Sequence, residues 1–184
     1  MINAALAPNF NLELLSQDAR WNALSLEERA TEIAQVLAQD CWHNSPFYQK
    51  FHDFFKGEKL FLEASLVLAN DDKQRSLNHD YRGLDKTTNV LSFATLDQED
   101  AQMSLPFELP QLYLGDIILS YDCLAREVEQ QSISLLAHSE HLIMHGLLHL
   151  MGYLHDSIQE AEIMEMHESR IMLARGWHDP YTNS

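Results

Sequence analysis

Three histidines stand at the end of an apolar run. They are His145, His149 and His155, at relative positions 0, +4 and +10, with Gly152 at +7. The run before them holds Leu135, Leu136, Leu142, Ile143 and Met144. Helical residues advance about 100° each, so His145 and His149 project from one face, one turn apart. Gly152 can end the helix in a left-handed conformation and reverse the chain, folding His155 back toward the other two. Three neutral imidazoles converging in this way make a facial site for a divalent metal, most naturally zinc, with a fourth position open. Only neutral imidazole binds a metal, so occupancy is expected to fall as the pH drops below about 6.5.

The spacing is that of a long zinc motif in one group of metallopeptidases, His-Glu-x-x-His-x-x-Gly-x-x-His. In those enzymes the glutamate at +1 is the general base that takes a proton from metal-bound water. Here +1 is Gly146. The metal cradle is present and the peptidase base is absent, and no other carboxylate is marked as its substitute. Two further readings of the same residues stay open. One is ordinary helix histidines. The other is a structural zinc, which usually has four protein ligands and often cysteine. Cys41 and Cys123 are far from the motif in sequence, though folding can bring one close. His138 and His141 share the His145 face and are expected beside the ligands or at the surface rather than among them.

The elements that must position these residues follow from patterning. Residues 10–14 and 62–68 alternate apolar and polar side chains, as strands do. Ser25 with Glu28 forms the pattern of a capping box before an amphipathic helix to about residue 39. Residues 42–59 are interrupted by Pro46 and Gly57 and read as a helix remnant and loop. Asn70 to Asp72 can cap a short helix that Gly83 ends. Residues 88–93 and 114–119 are further strands, separated by an acidic, proline-bearing excursion over 96–113. Ser120 can cap a helix to about residue 130, and Ser132 or Ser134 opens the motif helix. Ser157 with Glu160 is a second capping box, for a last helix ending at Gly176. This order predicts an α+β fold, and the absence of repeats and linkers predicts one domain over residues 1–184.

Composition narrows the function. Hydrophobic content of 46% and charged content of 22% describe an ordinary globular chain. No apolar run approaches the roughly 20 residues that span a bilayer, and residues 1–11 do not read as a signal peptide. Two cysteines suggest reduced thiols in a cytoplasmic protein. Twelve basic against 28 acidic residues leave a net charge of −16, which disfavours a broad nucleic-acid-binding surface. Seven of the basic residues lie between Lys50 and Lys86, where seven acids balance them.

His-Gly-x-Leu-His-Leu-x-Gly-Tyr-x-His resembles the signature of the YbeY family, metal-dependent endoribonucleases of ribosomal RNA maturation. Other blocks agree in order. Residues 77–86, Leu-Asn-His-Asp-Tyr-Arg-Gly-Leu-Asp-Lys, resemble the stretch around that family's functional arginine. Thr88-Asn89-Val90-Leu91-Ser92-Phe93 resembles its central strand, Leu114-Gly115-Asp116-Ile117 the strand before the helices, and Gly176 with Asp179-Pro180-Tyr181 its ending. The resemblance runs from about residue 60 to the C-terminus, with residues 1–59 only loosely similar. Leu154 stands where the family usually has aspartate, and Ala94 where it usually has proline. The resemblance implies a zincin-like fold, a small mixed four-stranded sheet packed against about five helices. It implies one zinc per chain on His145, His149 and His155. Arg82 becomes the expected phosphate clamp, because a guanidinium makes bidentate contacts to phosphate oxygens. Lys86 is a weaker candidate, Ser92 and Asp116 are expected to be structural, and His79 to be at the surface. The implied substrate is single-stranded ribosomal RNA near the 3′ end of the small-subunit molecule, met alongside the ribosome or a small-subunit protein, with no DNA and no membrane expected. A non-catalytic ribosome-assembly factor with a structural metal is the competing reading from another class.

Overall fold

The computed structural model describes residues 7–55, 60–97 and 111–182. The two alternating segments are strands. In β1, Asn9–Ser16, Phe10 and Leu12 turn inward; in β2, Phe61–Ala69, Leu62, Ala64, Leu66 and Leu68 do the same. β3, Val90–Ala94, is short, and β4, Gln111–Ser120, is the longest. The sheet order is β1-β2-β4-β3, with β1, β2 and β4 parallel and β3 antiparallel on the edge.

Among the described residues six α-helices surround this mixed sheet: α1, Leu26–Asp40; α2, Pro46–Phe55; α3, Asp71–Arg82; α4, Tyr121–Gln131; α5, Leu135–Leu150; and α6, Ile158–Ala174. The architecture is α+β. Neighbouring strand residues point to opposite faces. Ile117 joins the main core with Ile33 and Leu37 of α1 and Ile143 and Leu147 of α5. Ile118 turns the other way, where Leu77 of α3 packs with Ala69 and Leu91. The motif helix therefore lies on one face of the sheet and α3 on the other. Among the described residues no helix is long and apolar enough to cross a membrane.

Several local expectations hold. Ser157 and Glu160 form a full capping box on α6, Asn70 caps α3 through Lys73 N, and Ser134 caps α5 through Ala137 N. Others are corrected. Ser25 makes no cap bond, because it closes the 3-10 turn Ala19–Leu24 in a left-handed conformation (φ 48°), which turns its hydroxyl away from the first turn of α1. Ser120 makes no cap bond either; its hydroxyl donates to Asp71 instead. Residues 46–55 are a regular helix rather than a remnant. Pro46 is its first residue, where a missing N–H costs nothing and the fixed φ already suits a helix. Phe47, Phe51 and Phe55 recur on its buried face, each worth about 1.5–3 kcal/mol against exposure. In the excursion over 96–113, residues 98–110 lie outside the described residues, and strand pairing begins at Gln111 rather than Leu114.

A buried carboxylate fastens α5 to both ends of the chain. Glu140 has no exposed side-chain surface and accepts from Arg29 Nη1 (2.7 Å) in α1, Arg175 Nε (2.6 Å) and Trp177 Nε1 (2.8 Å). Burial alone would raise its carboxyl, but the hydrogen bonds from Arg175, Trp177 and Arg29 outweigh it and hold it below the ordinary 4.5. Glu140→Ala removes the acceptor shared by Arg29, Arg175 and Trp177; Arg29 can turn to water and Arg175 keeps Glu32 at 3.2 Å, so the loss is expected to cost about 3 kcal/mol in urea unfolding, the low end for a broken buried pair. A depressed carboxyl stabilises the fold fully above its unfolded value. The Glu140 contribution should thus be lost as the pH falls below 4.5 through the lower folded value, and the variant should lack that part of the acid slope.

Candidate metal centre

The end of α5 is a tight helix stop. Tyr153 N donates to Leu148 O (3.1 Å) and Gly152 N to His149 O (2.9 Å), the paired bonds of a Schellman turn. Gly152 has φ +90°, and a Cβ there would lie 2.8 Å from the Phe47 ring, so both conformation and space require glycine. The turn returns His155 to the helix face. The ring centroids of His145 and His149 are 4.6 Å apart, and His155 lies 5.5 Å from the first and 5.0 Å from the second. Each ring offers one nitrogen, and these nitrogens all lie within 4.8 Å of one another.

Hydrogen bonds decide which nitrogens are free. His149 Nδ1 faces Tyr153 O at 2.9 Å; a carbonyl only accepts, so Nδ1 carries the proton. His145 Nδ1 faces Glu168 Oε1 at 2.8 Å. Burial pushes the Glu168 carboxyl up, but His141 and His145 beside it win and hold it at about 2, so it too only accepts. The neutral rings therefore turn two bare Nε2 lone pairs toward each other at 3.0 Å. Such an approach is repulsive without a cation between the two nitrogens. Nitrogens about 2.0–2.1 Å from a tetrahedral zinc would be about 3.3 Å apart, so the donor set fits that ion in number, type and spacing. Burial, then the neighbouring His145, lowers His149 to about 4, which keeps its lone pair available at neutral pH.

The position of the peptidase glutamate is closed. Gly146 is buried, and a Cβ on it would lie 2.8 Å from Ile117 Cγ2 in β4. A side chain there would enter the sheet rather than face the histidines. Glu168 does not replace it as a base, because it stands behind His145 on Nδ1. Leu154, in the place of the family's aspartate, is 43% exposed and makes no polar contact.

Arg82 ends α3 and does not touch the histidines. The Phe93 carbonyl is aimed at Gly115 in β4, leaving no room there for a side chain. Carbonyls alternate along a strand, so that of Ser92 faces the free edge, where Arg82 Nη2 donates to it at 2.9 Å. The guanidinium also lies 5.1 Å from the Phe93 ring centroid, and Tyr81 packs on the same ring at 5.2 Å. Leu150, next to His149, meets the same point of β4 at Gly115, which ties this edge to the motif helix.

The other candidates are dispersed. His138 bonds Glu127 at 2.6 Å, away from the trio. His141 Nε2 is a buried atom 3.5 Å from Glu168 Oε2, a contact outside hydrogen-bond geometry. Lys86 and His79 are exposed. Asp116 accepts from Tyr113 Oη at 2.7 Å. Cys41 pairs with His167 at 3.4 Å, burial pushing its thiol up to about 11, and Cys123 faces Asp71. Neither thiol joins the histidines.

Glu168 and Tyr181 are the neighbours that sequence reasoning missed. Tyr181 Oη donates to Glu168 Oε2. A signal for Glu168 exists: it is a carboxylate on the helix face of Met164, Ile171 and Met172, all core residues. An acid in an apolar stripe implies a buried partner.

A mixed sheet carrying a helix with two histidines, a glycine stop and a third histidine defines an α+β protein with a histidine trio that could hold a metal ion. The chain matches the family model described as Endoribonuclease YbeY over residues 23–176, and it belongs to that family. The match reaches back through α1 and α2, well before the conserved-looking blocks that begin near residue 60. An Endoribonuclease YbeY of Paramagnetospirillum magneticum is 47% identical over 120 residues, 65% of this chain and 71% of the relative. One from Neisseria meningitidis serogroup C is 41% identical over 154 residues, 84% of this chain and 85% of the relative. A solution structure from Thermotoga maritima is similar at 17% identity and a TM-score of 0.48, covering 94% of this chain and 100% of that one.

Proposed function

We propose that this chain is a zinc-dependent endoribonuclease specific for single-stranded RNA. It acts in the cytoplasm, in maturation of the 3′ end of small-subunit ribosomal RNA and in ribosome biogenesis. The observation that carries this is the trio His145, His149 and His155, its ligand nitrogens within 4.8 Å of one another in a member of the YbeY family. The trio holds one zinc ion per chain. When bound, zinc supplies Lewis-acid polarisation of a phosphoryl oxygen. The peptidase alternative loses ground at Gly146, where Ile117 occupies the space a glutamate would need.

Arg82 is the phosphate clamp in this proposal. One terminal nitrogen is held by Ser92 O, which fixes the plane of the guanidinium at the edge of β3, while the side chain stays exposed. Its remaining N–H groups have no hydrogen-bond partner among the described residues and can reach phosphate oxygens, and charge-assisted pairs of this kind are the strong ones. The net charge of −16 opposes free RNA at long range. Selectivity then comes from presentation of the strand by the ribosome or a small-subunit protein, and the purified chain is expected to bind naked single strands weakly at physiological salt.

The test is cleavage of single-stranded RNA by the zinc-loaded full chain, with Arg82→Ala beside it. The variant should lose about 100-fold or more in rate, in the range for removal of one transition-state donor. Its melting temperature should be unchanged, since it alters an exposed side chain. A wild type that cuts no RNA with any divalent metal would favour the assembly-factor reading. Peptide cleavage that survives Arg82→Ala would favour the peptidase.

A further inference from the structure

Beside the trio lies a carboxyl side chain with no exposed surface, Glu168, with Oε1 2.8 Å from His145 Nδ1. Its helix face otherwise carries Met164, Ile171 and Met172, and a carboxylate set among such residues is costly unless fully partnered. Both oxygens are engaged. Oε1 takes the N–H of His145 Nδ1 at 2.8 Å, and Oε2 takes the Tyr181 hydroxyl. Tyr181 is delivered by a turn after α6, in which Asp179 Oδ1 accepts from Ser169 Oγ (2.8 Å) and from Tyr181 N (3.0 Å). The His141 ring closes the remaining side, edge-on to Tyr181 at 5.9 Å.

We infer that Glu168 is a positioning residue for His145, and that Tyr181 is the latch that holds Glu168 in place. The carboxylate keeps the His145 proton on Nδ1, so the Nε2 lone pair is the one turned toward His149 and His155. A neutral imidazole without such a partner shares its proton between both nitrogens, and a ring protonated on Nε2 keeps its lone pair on Nδ1, turned away from His149 and His155. An ionised acceptor behind a ligating histidine also makes that ring a better donor. Tyr181, by occupying Oε2, removes the freedom of the carboxylate to rotate away. This inference rests on the trio binding a metal and is independent of the reaction the metal serves.

The experiment takes the full chain stripped of metal and titrates it with zinc against a competing chelator. The tautomer of His145 is read separately, by imidazole nitrogen shifts of the metal-free protein near neutral pH. Glu168→Ala should raise the zinc Kd by about 10–100-fold and convert the His145 signal from the Nδ1–H form to a mixture. Glu168→Gln keeps an acceptor oxygen without the charge, so it should restore the tautomer and recover part of the affinity. Tyr181→Phe should keep the tautomer and lose less affinity than Glu168→Ala. Merely filling space would move neither readout in this order. Wild-type affinity and tautomer in Glu168→Ala would overturn the inference. Should that variant fail to fold, Glu168→Gln decides instead, and wild-type zinc affinity together with a mixed His145 tautomer in it would overturn the inference equally. Neither readout involves RNA. A wild type that binds zinc and cuts nothing would therefore sink the nuclease proposal and leave this one standing.

Discussion

His149→Ala is expected to leave the purified protein with almost no zinc by elemental analysis, against one equivalent in the wild type. The ring is half-buried, its Nδ1 is fixed by Tyr153 O, and its Nε2 sits 3.0 Å from that of His145. Removing it takes one of three ligands from a site in which loss of a supporting partner alone costs about 10–100-fold in affinity. The loss should therefore exceed about 100-fold. His145→Ala should behave similarly. His155→Ala should retain somewhat more metal, because His155 is exposed and its place can be taken by water. One equivalent of zinc retained by all three variants would remove the site assignment altogether.

Gly146→Glu is expected not to create a peptidase but to unfold the domain around α5. A Cβ at this position would lie 2.8 Å from Ile117 Cγ2 and 3.1 Å from Cγ1 and Cδ1. Isoleucine is β-branched and stiff at χ1, and Ile117 has no exposed surface, so it cannot step aside. A methyl group alone, as in Gly146→Ala, should cost about 1–3 kcal/mol in overpacking, offset by about 1 kcal/mol of helix propensity. Glutamate adds a carboxylate pushed into an apolar sheet, and the total should exceed about 4 kcal/mol. Urea denaturation of the three proteins measures this. An unchanged midpoint for Gly146→Glu, together with peptide cleavage, would mean the side chain reaches the metal side, contrary to the packing at Ile117.

The strands and the motif were legible because each depends on short-range pattern. Alternation exposed β1 and β2, and the 0, +4, +7, +10 spacing exposed the trio and the glycine stop before any coordinates. Local pattern failed where a side chain had two options. Pro46 reads as an interruption in the sequence but is the first residue of α2, and the phenylalanines at 47, 51 and 55 carry the helical period. Ser25 and Ser120 have cap-forming hydroxyls, but the first is turned away by its backbone and the second is claimed by Asp71, 49 residues earlier. Buried acids were the least legible. Glu140 is neutralised by Arg29, 111 residues away, and no local rule identifies such a partner. The sequence marks Arg82 as a phosphate clamp but gives no sign of its bond to Ser92 O, which depends on β3 being an edge strand, a fact only the sheet order reveals.

The brace behind His145 also has a place in time. A chain is made from its N-terminus, so the three histidines are synthesised before Glu168 and Tyr181. A nascent chain that has reached only His155 carries the whole ligand set with the His145 ring still free to protonate on either nitrogen. Metal capture at full affinity is thereby deferred until Glu168 and Tyr181 have been made and have folded back behind His145.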